Sequence, residues 1–555
     1  MHSAIGVDTS GGAAEVKPVT PRGFRDIMPE EALKRERITR AVSDVLAVHG
    51  YLPVETPLLE DRRSLERASS VDDTPFQLFD ADSRLLMVRS DLTMPIARLA
   101  ATRLEHAAAP FRLRYAAPIV REQAEFMGRS RQFTQLGAEL IGDAGVSADI
   151  EVVSLAAEAL DAAGVSKWRI ACGSVRPMKE LLDACGLEGD DRAAVLGCIH
   201  GSDFVDLDEL VQTLEVSEDA RRALCGLARV CGGAEAIEQV RDLLAPCGVD
   251  TSCVDELEKL FAAARALRFG DRLVIDFSIM NSFDYYTGLV FSIYADGVFS
   301  PLGSGGRYDD AFSRLGEKDM PAAGFALSLE QIEEALAYAP QQRPLRIAVP
   351  KGSLFGETVD VLEKAGFDVE ALRNPGRKLV VHAEGVDYVI VRPTDAPAFV
   401  ASGGADCGIC GRDSLIEANL DLVQMVDLGY GRCRFVVAEP REAKGKAQAR
   451  YASHGSIRVT TKYPRITQAY YDRIGQQVDI VTLHGNIELG PMVGMADRIV
   501  DITATGTTLR ENDLVVVDDV IECSARFFAS PVGLRCDERV RQLADALAAS
   551  RKVSS

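Results

Sequence analysis

The rhythm of apolar and polar positions changes once along this chain, near residue 340. Before it, apolar residues recur first at helical spacing: Ile38, Val42, Val45 and Leu46 follow Pro29 and its two acids, and Gly50 closes the run. Proline at the start and glycine past the end are helix punctuation, so a helix is predicted there. LLMVRSDLTMPIARLAA (85–101) predicts a strand running into a helix. Residues 111–142 predict two antiparallel strands around an Arg-rich, Gly-containing loop, and residues 149–164 and 176–265 keep helical spacing. RLVIDFSIMNSFDYYTGLVFSIYADG (272–297) adds two strands, and AAGFALSLEQIEEALAYA a strand or turn entering a helix. Antiparallel strands with helices make an α+β domain.

PQQRP (340–344) has polar residues between two prolines and no apolar anchor, which is a linker pattern. After it, LRIAV, VDYVIV, ADCGIC, RFVVAE, IRVTT, DIVTL, RIVDI and LVVVDD alternate with helical stretches, and DERVRQLADALAASRK is a final helix. Short buried strands between helices predict an α/β domain with mostly parallel pairing. The expected organisation is therefore a loose tail over 1–19, a first module over 20–338, a linker over 339–344, and two small α/β lobes over 345–555.

Charge narrows the partners. A formal net charge of −21 speaks against non-specific nucleic-acid binding, which draws its affinity from Lys and Arg on phosphates. No apolar run is long enough to span a membrane, and the first residues lack the pattern of a signal peptide. Scattered cysteines fit a reducing cytoplasm. Cys407 and Cys410 form a CxxC with no second pair and no nearby His, so a buried strand is the better reading than zinc.

Candidate chemistry centres on VDITATGTTLREN (500–512), a strand, a Gly/Thr turn and a helix start. Such a turn can cradle a phosphate on backbone N–H groups, with Gly506 allowing close approach and Thr505, Thr507 and Thr508 adding hydroxyls. Asp501 closes the strand where it could accept hydrogen bonds from sugar hydroxyls. No Lys follows in the Walker manner, so a sugar phosphate suits it better than a nucleoside triphosphate; an ordinary strand–helix turn is the alternative. Other strand ends carry Lys351, Arg392 with Asp395, Asp406 and Asp413 flanking CGICGR, Lys462, and Glu488. Ligands of parallel sheets sit beyond the carboxyl ends of strands, and Lys351, Arg392 and Lys462 together could neutralise a pyrophosphate.

RIAVPKGSL, VRPTDAPAFV, ADCGICGRDSLIE, DLGYGRCRFVVA, TTKYPRIT and LHGNIELGPMVGMADRIVDITATGTTLREN resemble, in this order, the ATP phosphoribosyltransferases. The resemblance implies the first step of histidine biosynthesis, in which ATP N1 attacks C1 of phosphoribosyl pyrophosphate. It implies Mg²⁺ carried with the substrate rather than on protein ligands, and a cleft between two lobes like those of periplasmic binding proteins. Asp501 and the loop 504–508 would hold the sugar phosphate, and Lys351, Arg392 and Arg377 would face phosphates. Ala504 departs from the Glu or Ser often found there. The half stops too early for the family's long form.

RGFRDIMPEE, VRSDLTMPIAR, GRSRQFTQLGAELIG, FDYYTGLVF and GGRYDDAFSRLG resemble histidyl-tRNA synthetase, a class II fold. Gln123, Asn281 and Gln331 stand where that family carries an acid and two arginines for adenylate chemistry, and no anticodon-binding domain follows. Asp91, Thr93, Arg121, Gln135, Glu139, Tyr285 and Tyr286 match the amino-acid pocket. A histidine pocket stripped of activation charges resembles the regulatory subunit that partners short-form transferases. The expectation is thus a fused, allosterically regulated enzyme acting on ATP and phosphoribosyl pyrophosphate, with histidine as effector and, by analogy, a homotetramer. An active synthetase and a binding protein without chemistry are the rival readings.

Overall fold

The computed structural model describes residues 19–66, 76–122, 130–279, 286–315, 319–338, 343–503 and 506–552, apart from the side chains of Cys253, Thr507, Arg551 and Lys552. In the first half a nine-stranded sheet among the described residues has a mainly antiparallel centre. Phe111–Val120 pairs antiparallel with Gln132–Ile141, which pairs with Ala322–Ser328, then Gly303–Arg307, then Leu289–Ala295. Beyond Leu289–Ala295 lies Trp168–Ser174, and beyond that Leu273–Asp276, paired parallel to it. The helical stretch between these two parallel strands is therefore a crossover. It comprises several helices from Arg176–Ala184 to Ser252–Ala266, with a two-strand-residue insert at Cys231–Gly232 that apolar spacing did not reveal.

The helix Pro29–Val48 buries Ile38, Val42 and Leu46, the stripe its spacing predicts, with Val45 packed at its margin. Gly50 follows at φ +84°, a left-handed conformation that glycine adopts freely. That helix packs on Val146–Ala163, which is apolar around most of its circumference because it lies between the outer helix and the sheet.

The second half holds two sheets. The first lobe orders its strands Val380–Ala383, Val386–Val391, Leu345–Pro350, Cys407–Gly411, Ala525–Ala529 and Val423–Asp427. The second orders Val478–Thr482, Ile457–Thr461, Arg498–Thr503, Cys433–Pro440 and Leu514–Cys523. The expectation of mostly parallel pairing holds only for the βαβ strands at one side of each sheet. Ala525–Ala529, Cys433–Pro440 and Leu514–Cys523 pair antiparallel. The cause is topological: the chain leaves the first lobe over 428–432 and returns at Ser524. Its crossing strands enter each sheet running against the βαβ strands.

The two halves are docked. One hydrophobic cluster joins Trp168, Phe277 and Ile293 to Val423, Phe527 and Leu534. The helix Phe204–Thr213 lies along Val423–Asp427, where Gln424 N donates to Ser202 O (3.0 Å) and Gln424 Nε2 to Asp203 Oδ2 (2.9 Å). Arg535, 5% exposed, donates through Nε to Asp276 Oδ2 (2.7 Å) and through Nη2 to Ser278 Oγ (2.7 Å). Much of the expected linker lies outside the described residues, but Arg343 at its end is fixed by a bidentate pair with Asp406 at 2.8 and 2.6 Å.

Candidate functional site

Parallel pairing decides which strand ends meet. Leu345–Pro350, Val386–Val391 and Cys407–Gly411 end at one edge of the first lobe, which brings Lys351, Arg392, Asp395 and Asp413 to that edge. Lys351 N donates to Val391 O (2.8 Å), tying two of these loops together. Lys351, Arg392 and Asp395 are exposed, as is Arg377 in the loop ahead of Val380–Ala383. In the second lobe, Ile457–Thr461, Val478–Thr482 and Arg498–Thr503 end together, gathering Lys462, Glu488 and Asp501.

The two edges face each other. The charge of Lys462 in the second lobe is felt by Asp413 in the first and by Asp501 in its own lobe. Tyr463, buried beside Lys462, senses both carboxylates. Burial is the main cause raising Asp501 from its usual value to about 6; a hydrogen bond from Ile502 N (2.8 Å) opposes it, Glu488 repels it and Lys462 relieves it. Burial also raises Asp413.

Asp406 does not join this site. It precedes the strand Cys407–Gly411 and lies at its amino end, where it clasps Arg343 and accepts from Arg346 N (2.9 Å). Reading both acids that flank CGICGR as one site merged opposite ends of a single strand. Cys407 and Cys410 are buried within that strand, and burial pushes both thiols far up.

Ala504 and Thr505 lie outside the described residues, as does the side chain of Thr507. Gly506 stands at φ +70° ahead of the helix Thr507–Glu511, and its N–H donates to Thr503 Oγ1 (2.9 Å). Thr508 is exposed in that helix. One turn of helix carries little dipole, so an anion here would rest on individual N–H groups and hydroxyls.

A second polar cluster lies in the first half. Glu139, 1% exposed, accepts from Thr93 Oγ1 (2.9 Å) and Tyr115 Oη (3.1 Å), and from Tyr308 Oη. Burial raises its carboxyl to about 7, against the pull of those hydroxyls. Gln135 Oε1 accepts from Leu92 N (3.2 Å) and Asp91 Oδ1 from Met94 N (3.0 Å). Tyr286 is half-buried against the core, with its phenol within the field of Glu139 and beside Ser304. Glycines make the room: a Cβ at Gly324 would come within 1.8 Å of Glu139, and one at Gly306 within 2.7 Å of the Tyr286 ring.

Asp91, Thr93, Gln135, Glu139 and Tyr286 are thus gathered as expected. Arg121 is exposed at the margin, donating to Ser90 O (2.9 Å) with its guanidinium 5.6 Å from the Phe133 ring centre. Tyr285, Gln123 and Asn281 lie outside the described residues. Tyr115 and Tyr308 are members that motif matching missed. The strand register explains Tyr115: Leu113 pairs with Glu139, and Tyr115, two residues on and opposite Gly137, returns to the same face of the sheet. Gln331 leaves a buried Oε1 without a partner among the described residues, while Glu330 takes Arg35 and the Thr134 N–H.

Against known proteins, the histidyl-tRNA synthetase family matches residues 23–332 and the ATP phosphoribosyltransferase family residues 392–549. An ATP phosphoribosyltransferase of Rubrobacter xylanophilus is 47% identical over 188 residues, 34% of this chain and 87% of that protein. An ATP phosphoribosyltransferase regulatory subunit of Geobacillus thermodenitrificans is 33% identical over 370 residues, 66% of this chain and 91% of that protein. A solved ATP phosphoribosyltransferase regulatory subunit/histidyl-tRNA synthetase from Bacillus halodurans superposes with a TM-score of 0.53 at 30% identity, covering 67% of this chain and 98% of its own.

Proposed function

Since the chain belongs to the ATP phosphoribosyltransferase family, with a class II histidyl-tRNA synthetase-like regulatory module fused ahead of the catalytic one, we propose that its interlobe cleft is the active site and its first module a histidine sensor. The enzyme joins ATP to phosphoribosyl pyrophosphate, giving N1-(5-phosphoribosyl)-ATP and pyrophosphate, the first step of histidine biosynthesis. Domain limits of 20–338 and 345–555, periplasmic-binding-like lobes, a cytoplasmic setting and a homotetramer complete the proposal. No described helix is long and apolar enough to cross a membrane.

One observation carries the cleft: Lys462 of one lobe acts on Asp413 of the other and on Asp501, at edges where parallel strands end. Departure of pyrophosphate leaves an oxocarbenium-like C1, so the protein's task is alignment and charge stabilisation. Adenine N1 brings its own lone pair and needs no strong base. Asp501 accepts from the ribose hydroxyls, and residues 504–508 take the 5′-phosphate. Lys351, Arg377 and Arg392 meet phosphate or pyrophosphate with exposed cations. Mg²⁺ bound with the substrate would supply charge neutralisation for the leaving pyrophosphate, without protein ligands of its own. The mutual repulsion of Asp501 and Glu488 fits a cation arriving with the substrate.

A spectrophotometric assay of phosphoribosyl-ATP from ATP and the sugar pyrophosphate tests the activity directly. No product from the folded chain would leave the binding-protein reading. Histidine-dependent ATP–pyrophosphate exchange would instead reveal a synthetase, and the orphaned Gln331 weighs against it.

The acid limb of kcat/KM reports groups of the free enzyme. With Asp501 raised to about 6, it is ionised at neutral pH and becomes protonated as pH falls through that value. kcat/KM should then drop about tenfold per unit below that point. Asp501→Asn should start low and lose this limb; an unchanged limb would assign it to another group.

Histidine inhibition should pass through Glu139. Glu139→Ala removes the carboxyl that Thr93, Tyr115 and Tyr308 now surround, and should weaken histidine binding by ~2 kcal/mol or more while turnover without histidine stays near the parent's. Because coupling is reciprocal, calorimetry should also show the sugar pyrophosphate and histidine altering each other's affinity. A Glu139→Ala protein inhibited like the parent would remove the pocket from regulation.

A further inference from the structure

The helix Pro464–Arg473 begins without a cap of its own. Pro464 brings no N–H, and the side chain of the preceding Tyr463 makes no capping hydrogen bond. The cap comes from the other lobe. Glu417, in the first-lobe helix Arg412–Ala418, accepts from Ile466 N at 2.8 Å and Arg465 N at 3.2 Å. This is a carboxylate on two orphan donors at the positive end of a helix, the arrangement that stabilises an N-terminus. Here it also spans the gap between two lobes.

Its place on the helix matters. Asp413 and Glu417 are four residues apart and share one helical face, turned to the 462–466 segment. Asp413 lies within the field of Lys462 and its own charge acts on the Tyr463 phenol, and Glu417 holds the two residues that follow Pro464. The second-lobe turn bearing Lys462 is thus fixed to the first lobe through its own backbone N–H groups, held by the Glu417 carboxylate.

We infer that Glu417 is a positioning residue of the transferase: it caps the second-lobe helix from the first lobe and so holds the cleft closed around Lys462 and Asp413. This rests on the cleft's being the active site. The residue touches no reacting atom. Its contribution is a population of closed, binding-competent molecules before substrate arrives.

A closed fraction reduced to a tenth raises an apparent dissociation constant about tenfold, while saturating substrate still drives closure. In the full chain, Glu417→Ala should therefore raise KM for the sugar pyrophosphate about tenfold, with kcat within about twofold of the parent's. Amide exchange, read by mass spectrometry on the full chain, should show Arg465 and Ile466 losing protection. Glu417→Gln keeps one acceptor and should recover most of the KM. A variant that is merely misfolded in part would lose active enzyme, lowering kcat and leaving KM alone. That pattern, or a parental KM, overturns the inference. Asp501→Ala measured alongside separates the two failures. If it turns over like the parent, the cleft assignment is wrong and the inference falls with it. If it is inactive while Glu417→Ala is unaffected, only the inference falls.

Discussion

Gly506→Val should cut turnover about a hundredfold or more, roughly 3 kcal/mol of transition-state stabilisation, in a protein that still folds. Two effects contribute. Gly506 stands at φ +70°, where a β-branched residue is strained by about 1–3 kcal/mol. A side chain would also stand where the 5′-phosphate has to reach backbone N–H groups. The fold tolerates the change, because among the described residues beyond its chain neighbours a Cβ there would have nothing closer than Arg510 Nη1 at 3.7 Å. Gly506→Asn separates the effects, since asparagine accepts the left-handed region at little cost. If strain alone mattered, the Asn variant would keep most of its activity. Phosphate approach predicts that both lose it, with KM for the sugar pyrophosphate rising in each. Near-parental turnover in folded Gly506→Val would remove this loop from the active site.

Arg535→Ala should weaken the chain's stability by ~3–5 kcal/mol, the cost of stranding a buried charge. Arg535 and Asp276 are each almost wholly buried and belong to different halves, and the guanidinium also donates to Ser278 Oγ and Pro531 O. Removing the cation leaves Asp276 with its bonds to Ser278 N (2.8 Å) and Ser278 Oγ but no counter-charge. Arg535→Met with Asp276→Leu removes both charges in roughly matched volume and should recover most of the loss. Calorimetry would read this as a lower unfolding temperature for Arg535→Ala, with the two halves unfolding separately rather than together. A single transition at the parental temperature would show that the contact does not bind the halves.

Much of the candidate chemistry was legible in one dimension. Lys351, Arg392, Lys462, Glu488 and Asp501 each follow, close or end a strand whose β-branched, apolar run is visible in the sequence, and parallel pairing then carries them to common edges. The first-half pocket was legible for a similar reason. Gln135 and Glu139 sit on one strand four residues apart and so share a face, and Asp91 and Thr93 lie at a strand-to-helix turn, so local geometry sets their direction.

What the sequence by itself determined about this protein is the set of elements and the strand ends that bear its chemistry, because side-chain period and turn residues are local properties. Only the tertiary structure decided the rest. Asp406 and Asp413 flank one short strand and differ in which end of the sheet they occupy, which no composition records. Tyr308 reaches Glu139 from 169 residues away, Arg535 reaches Asp276 from 259, and Glu417 caps a helix in another lobe. The antiparallel strand Ala525–Ala529 is as buried as its parallel neighbours, and only the chain's return through Ser524 sets its direction. Each of these is a pairing between distant segments, and its free energy exists only once the backbone has brought the partners out of water together.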